Sequence, residues 1–117
     1  MTVEEILEYC QKKKAVTEHF PFGPEALVLK VGGKMFLLIP LAHQPTSFAC
    51  KGDPEKNLDL REKHHQITGA YHMNKTHWNG VVCDGLKKEL VFEMIDDSYD
   101  LVLKSLTKKL QKEIEEM

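Results

Sequence analysis

The sequence predicts a single α+β domain over residues 1–117, with an antiparallel sheet packed against helices in the order α-β(3)-α-β(2)-α. Three observations support this fold class. Apolar residues recur at helical spacing near both ends of the chain, and short segments rich in Val, Leu, Ile and Phe lie between them. Two of these segments are separated only by Gly32-Gly33, and such a turn joins antiparallel strands. A chain of 117 residues can also bury a core of its own.

The first segment is predicted to be a helix that ends near Ala15. Thr2 can cap its N-terminus, and Glu4 and Glu5 suit the positive end of the helix dipole. Residues 19–24 follow and contain two prolines and a glycine, which exclude a helix. We interpret them as a structured connector whose two phenylalanines anchor it to the core.

Residues 26–31 and 34–41 are predicted to form the two arms of a β-hairpin. In a regular register, one face of this hairpin consists of Leu27, Leu29, Val31, Phe36 and Leu38. The other face consists of Val28, Met35, Leu37 and Ile39. Because both faces are apolar, we expect the hairpin to be covered on both sides or to contribute to an oligomer interface.

Residues 46–51 are predicted to form a third strand, and a second helix follows it. Asp53 as the N-cap and Pro54 in the first turn begin that helix, which extends to about His64. Two short strands are then predicted over residues 70–73 and 77–84, with Asn74-Lys75-Thr76 as the turn between them.

The C-terminal part of the chain is predicted to be helical and to carry two apolar stripes. The first stripe consists of Leu86, Leu90, Met94 and Ile95. The second consists of Leu103, Leu106, Leu110 and Ile114. Between them, Asp96-Asp97-Ser98 offers a break and the N-cap of a new helix.

The charges are segregated along the chain, although the net charge is only −2 and argues against a strongly basic nucleic-acid binder. Between residues 26 and 52 every charged residue is a lysine, and between residues 63 and 83 the only charges are two lysines, with four histidines. All Asp and Glu residues lie outside these two windows, mainly on the predicted helices. We therefore predict that one side of the molecule is basic and carries Lys30, Lys34, Lys51 and Lys75.

The cysteines and the N-terminus indicate a cytosolic protein. Cys10, Cys50 and Cys83 each lie among apolar residues, so we predict that they are reduced and that at least two are buried. The N-terminal residues lack the basic-then-apolar layout of a signal peptide. The longest apolar run, residues 35–41, is too short to cross a bilayer, and we expect no membrane association.

Several separated motifs follow one another in a characteristic order. They are Phe20-Pro21-Phe22-Gly23-Pro24, the Lys-Val-Gly-Gly-Lys-Met-Phe run of residues 30–36, Tyr71-His72-Met73-Asn74-Lys75, His77-Trp78-Asn79 and Ser98-Tyr99. Together they resemble the MmcQ/YjbR family of small bacterial cytosolic proteins, over about residues 6–109. The resemblance implies a two-layer fold with three helices on an antiparallel sheet, similar to type III secretion chaperones. It also implies a DNA-binding role.

Residues 71–80 carry most of the candidate binding residues, including the only Trp of the chain. Aromatic side chains can stack on bases, asparagines can bond base edges, and a lysine can contact a phosphate. The alternative is that Trp78 belongs to the core and that residues 74–76 form an ordinary hairpin turn. The nucleic-acid hypothesis assigns the site to Lys30, Lys34, Lys51, Tyr71, His72, Asn74, Lys75, His77, Trp78 and Asn79.

No catalytic or cofactor signature occurs in the sequence. The serines lack a nucleophile-elbow motif, Gly32-Gly33 lacks the rest of a phosphate-binding fingerprint, and the histidines lack acidic or Cys ligands at metal spacing. We therefore expect a non-enzymatic protein with no catalytic residue, metal or cofactor.

The partner hypotheses stay open between DNA and protein. The apolar hairpin and the Leu-rich C-terminal helix also suit a protein-interaction or chaperone-like module that binds a peptide or a second copy of the chain. A third hypothesis is a small anionic ligand held by His72, Lys75 and His77.

Overall fold

The computed structural model describes all residues 1–117 and contains four helices and one six-stranded sheet. The helices are α1 (Val3–Gln11), α2 (Pro54–Lys63), α3 (Lys88–Ser105) and α4 (Lys108–Glu115). The strands are β1 (Val16–His19), β2 (Ala26–Val31), β3 (Lys34–Pro40), β4 (Ser47–Lys51), β5 (Ile67–Gly69) and β6 (Trp78–Val82). All neighbouring strands are antiparallel, in the order β1-β2-β3-β4-β6-β5. The predicted α+β class, an antiparallel sheet packed against helices, is confirmed.

Two helices begin at the capping residues that the sequence predicts. The Thr2 side chain accepts a hydrogen bond from the Glu5 N–H at 3.2 Å, and the Glu5 carboxylate accepts one from the Thr2 N–H at 3.3 Å. Asp53 accepts hydrogen bonds from the N–H groups of Glu55 and Lys56, both at 3.1 Å. Since each cap satisfies backbone donors that the helix leaves free, it stabilises the fold by about 1 kcal/mol.

A β-bulge in the β2–β3 hairpin changes which side chains share a face. The register shifts between Leu29 and Lys30, and Phe36 becomes an extra residue on the opposite strand. The predicted faces are therefore wrong beyond this point. Leu37 and Ile39 lie on the same face as Leu29, and Leu38 lies on the opposite face. The face that packs on the helices consists of Leu27, Leu29, Val31, Phe36, Leu37 and Ile39. We call this side of the sheet the covered face and the other side the open face.

Two strand predictions differ from the structure. No strand is predicted before residue 26, yet Val16–His19 forms β1 at the edge of the sheet. None of its four side chains is fully buried, so the sequence lacks the apolar pattern of a strand. The strand predicted at residues 70–73 is a loop, and Ile67–Gly69 takes its place beside β6.

The predicted break at Asp96-Asp97-Ser98 is wrong, because α3 continues through these residues and ends at Ser105. Thr107 caps the next helix, so the structure has four helices rather than the three that the resemblance implies. The two aspartates bind lysines from elsewhere in the chain. Asp96 lies 2.5 Å from the Lys13 amine, and Asp97 lies 2.5 Å from the Lys56 amine. None of the four helices has both the length and the apolar composition needed to cross a membrane.

Ser98 ties α3 to the sheet instead of capping a helix. Its buried hydroxyl donates to the Phe36 carbonyl at 2.5 Å and accepts from the Lys51 N–H at 2.8 Å. Leu37 pairs with Cys50, so the next position along the ladder brings Phe36 opposite Lys51. The hydroxyl therefore bridges β3 and β4 next to the last of their paired residues.

The core between the covered face and the helices contains all three cysteines, which are unpaired. Burial raises the pKa of Cys10 and of Cys50 to about 12, and that of Cys83 to about 11. The prediction that at least two cysteines are buried, with no disulfide, is confirmed.

Candidate functional site

The open face of the sheet is free of helices and carries charge of one sign only. Strand pairing places on it Thr17, His19, Ala26, Val28, Lys30, Met35, Leu38, Pro40, Ser47, Ala49, Lys51, Thr68, Trp78, Gly80 and Val82. Two of these residues are lysines, and none is an aspartate or a glutamate. An anionic ligand would therefore meet no carboxylate on the strands of this face.

A groove of about 750 Å³ crosses the open face. Half-buried Met35 and Leu38 contribute to its floor, and Trp78 contributes an indole ring. Phe22 and Tyr71 line it with 68% and 81% of their surface exposed. Most lining residues are apolar, and no acidic residue lines the groove. Such a surface suits flat apolar groups better than compact ions.

Trp78 belongs to this groove and not to the core. Its position at the start of β6 pairs with Lys51 at the end of β4, and its side chain is half-buried. The alternative of a core tryptophan is therefore wrong. Since opposite residues of paired strands lie side by side, a stacking surface and a positive charge are neighbours here.

The loop of residues 70–77 lies at the edge of the groove, and Arg61 of α2 fixes it there. The Arg61 Nη2 atom donates to the carbonyl of Lys75 and, at 3.4 Å, to that of Trp78. Its Nε atom donates to the side chain of Asn79 at 2.6 Å. A side chain outside the loop therefore positions the loop backbone at Lys75 and the start of β6 at Trp78.

Asn79 is buried and has a structural role instead of the predicted role in binding base edges. Only 1% of its surface is exposed, and it pairs with covered-face positions of β4 and β5. Its amide donates to the Asn57 side chain at 3.2 Å, and Asn57 donates to the Thr76 carbonyl at 3.2 Å. We call Arg61, Asn79 and Asn57 the loop clasp, because their hydrogen bonds join α2 to the loop of residues 70–77.

The four lysines that the sequence predicts on one side do not share a face. Lys30 and Lys51 occupy open-face positions. Lys34 pairs with Val31, whose side chain is in the core, so its position belongs to the covered face. The Lys75 side chain packs over Gly69, at a strand position that pairs with buried Asn79. The predicted basic side is therefore reduced to two lysines.

The other predicted site residues lie in the exposed loop. His72 and Asn74 line the groove, and the His72 ring lies 3.9 Å from the Tyr71 ring. The Asn74 side chain also accepts a hydrogen bond from the Thr76 N–H at 3.0 Å, so it shapes the loop. His77 is exposed but does not line the groove.

Sequence reasoning does not single out Phe22, Met35 or Leu38 as site residues. The two phenylalanines of the connector are predicted to anchor it to the core, yet Phe20 is 52% exposed and Phe22 even more so. Leu38 reaches the groove because the bulge places it on the same face as Val28 and Met35. The sequence does indicate that Phe22 is exposed, because this residue lies between a proline and a glycine, as side chains of turns commonly do.

Comparison with known proteins agrees with the fold. The YjbR family model matches residues 11–101. The uncharacterized protein YbdF of Escherichia coli O157:H7 is 38% identical over 96 residues, which cover 81% of this chain and 79% of YbdF. The uncharacterized protein YjbR of Escherichia coli K12 is 27% identical over 113 residues, which cover 96% of both chains.

Two solved structures are similar to most of the chain. The crystal structure of Deinococcus radiodurans protein DR2400 superposes with a TM-score of 0.92 at 37% identity, over 97% of this chain and 88% of that one. The crystal structure of a Pseudomonas syringae protein superposes with a TM-score of 0.75 at 26% identity, over 87% of this chain and 99% of that one. With a family model that matches most of the chain, these likenesses show that the chain belongs to the YjbR family.

Proposed function

We propose that this chain is a non-enzymatic cytosolic protein that binds DNA through the open face of its sheet. The observation that carries the proposal is the composition of that face: exposed aromatic rings, two lysines and no carboxylate on its strands. Aromatic rings offer stacking surfaces for bases, and lysines attract the phosphate backbone. The unpaired, buried cysteines support the cytosolic location.

The acidic total charge is compatible with this proposal, because the carboxylates lie mainly on the helices of the other layer. Several of them are already neutralised by lysines of the chain. Asp96 binds Lys13, Asp97 binds Lys56, and Glu5 lies 3.2 Å from the Lys88 amine. The cations on the strands of the open face are Lys30 and Lys51, which lie outside the residues that line the groove.

The test is a charge-removal pair measured by fluorescence anisotropy with labelled DNA at several salt concentrations. In the double variant Lys30→Gln/Lys51→Gln, affinity should fall at low salt, and the slope of log K against log salt should shrink by about 1.5 units, because two phosphate contacts are lost. The matched control Lys104→Gln/Lys109→Gln removes the same charge from exposed positions of α3 and α4. It should leave the slope unchanged.

Two results would overturn the proposal. One is the absence of measurable DNA binding by the unmodified protein at low salt. The other is an equal loss of affinity in the control variant, because binding would then depend on total charge and not on the open face.

A second candidate function, docking of a protein partner, is favoured by the mostly apolar lining of the groove. Its simplest form is self-association through the open face. Sedimentation velocity over a wide concentration range tests it. A monomer at the concentrations that bind DNA supports the nucleic-acid proposal, whereas a dimer that Leu38→Glu dissociates supports protein docking.

A further inference from the structure

We infer that the open face takes single-stranded DNA, with unpaired bases stacked on Trp78, Tyr71 and Phe22. This inference rests on the proposed function and narrows it to one form of nucleic acid. It follows from the exposure of aromatic rings around one groove, from the small number of positive charges and from the mostly apolar lining of that groove.

The aromatic rings are the first argument. Trp78 is half-buried on the open face, and Phe22 and Tyr71 are largely exposed around the same groove. Bases in a duplex are stacked on one another, so they have no free face for a protein ring. Stacking on side chains therefore requires unpaired bases, and a groove lined by aromatic rings is a suitable platform for them.

The distribution of charge is the second argument. Proteins that depend on phosphate contacts with duplex DNA commonly make about six to ten of them. The strands of the open face supply only Lys30 and Lys51, and the net charge of the chain is −2. Electrostatic attraction alone is therefore weak, and stacking has to provide a larger share of the affinity, as it does for single strands.

The mostly apolar lining of the groove favours DNA over RNA, although the polar side chains of Ser47, Thr68 and Asn74 also line it. A ribose 2′-hydroxyl is both a donor and an acceptor, and it needs polar partners when it is buried. Most side chains that line this groove are apolar. Deoxyribose, which lacks this hydroxyl, can lie against them without leaving a polar group unsatisfied.

The loop clasp makes the platform stable. Tyr71 lies in a loop whose C-terminal end is held by α2, since Arg61 donates to the Lys75 carbonyl and Asn57 donates to the Thr76 carbonyl. This end of the loop is therefore ordered before a ligand binds, which favours affinity.

The experiment uses the complete chain and three probes: a mixed-sequence DNA strand of about 12 nucleotides, the duplex of the same sequence, and the RNA strand of that sequence. Binding is followed by the fluorescence of Trp78, the only tryptophan of the chain, and by anisotropy of the labelled probe. The DNA strand should bind about tenfold or more tightly than the duplex, quench Trp78, and bind more tightly than the RNA strand.

Phe22→Ala and Phe20→Ala form a matched pair of variants. Both residues lie in the same connector and both are exposed, but only Phe22 lines the groove. Phe22→Ala should therefore lower the affinity for the DNA single strand by about tenfold, while Phe20→Ala leaves this affinity unchanged. Tyr71→Ala, at the most exposed ring, should behave like Phe22→Ala, and neither change should lower the melting temperature.

The outcomes separate this inference from the proposed function. Equal affinity for the single strand and the duplex, or an equal effect of the two phenylalanine variants, overturns the inference while DNA binding stands. Equal affinity for the RNA strand overturns the choice of DNA. Binding of none of the three probes overturns both the inference and the proposed function.

Discussion

Replacement of Ser98 by alanine should destabilise the fold far more than the loss of one oxygen atom suggests. The Ser98 side chain is fully buried and bridges the Phe36 carbonyl at 2.5 Å to the Lys51 N–H at 2.8 Å. Alanine removes the bridge and leaves too little space for a water molecule to replace it. A buried carbonyl and a backbone N–H then lose their partner together.

The size of the effect follows from these two groups. Each buried polar group without a partner costs about 1–3 kcal/mol, so Ser98→Ala should lower the free energy of unfolding by at least about 2 kcal/mol. For a chain of this length, 1 kcal/mol corresponds to about 4 °C, and the melting temperature should fall by about 8 °C or more.

The assay is thermal and urea unfolding followed by circular dichroism, with Ser105→Ala as the control. Ser105 lies at the end of the same helix, is exposed, and donates only to the Val102 carbonyl one turn earlier, at 2.6 Å. Its replacement should change the free energy of unfolding by less than about 0.5 kcal/mol. If both variants unfold at the same urea concentration, the bridge contributes nothing and the reasoning is refuted.

Two further predictions concern the hairpin turn and the cysteines. Gly32→Ala should lower the free energy of unfolding in urea by at least about 1 kcal/mol more than Gly33→Ala does. Both glycines have positive φ, but only a Cβ on Gly32 would meet Leu106, at 2.5 Å. Equal losses of unfolding free energy would contradict this. Stability should be constant to about pH 9 and fall above it, because unfolded thiols ionise near pH 9 while burial raises their pKa in the fold to about 11–12. A urea midpoint that stays level to pH 11 would exclude this effect of Cys10, Cys50 and Cys83.

The fold was predictable where local rules act alone. Thr2 and Asp53 cap their helices as their residue types require, and Gly32-Gly33 forms the turn between β2 and β3. The bulge at Phe36 was not predictable, because a regular alternation of apolar residues fits either register of a hairpin that is apolar on both sides. Packing against α3 decides between the registers, and that information is not local.

The same limit explains the errors near the C-terminus. Asp96-Asp97-Ser98 is typical of a helix start when the residues are considered alone. In the fold, Lys13, Lys56 and the Phe36 carbonyl provide other partners for these side chains. Partners so distant in the sequence override the local preference for a cap.

The candidate site was predictable in part. Tyr71, Trp78 and the two lysines of β2 and β4 reach the open face, as the composition of the strands suggests. Asn79 does not, because successive residues of a strand point to opposite faces. That alternation places Trp78 and Asn79 on different sides of the sheet, and a composition argument treats the two neighbours as equivalent.

The loop clasp has a consequence for how this protein can diverge. Arg61 holds the loop of residues 70–77 through the main-chain carbonyl of Lys75, so the hold does not depend on which side chains the loop exposes. Tyr71 can therefore accept substitutions that alter ligand preference while the backbone keeps its course. Changes at Arg61 itself would release the backbone at Lys75, close to the end of the loop that leads into β6. Ligand choice and loop placement are thus encoded at separate positions of the chain, and each can be altered without the other.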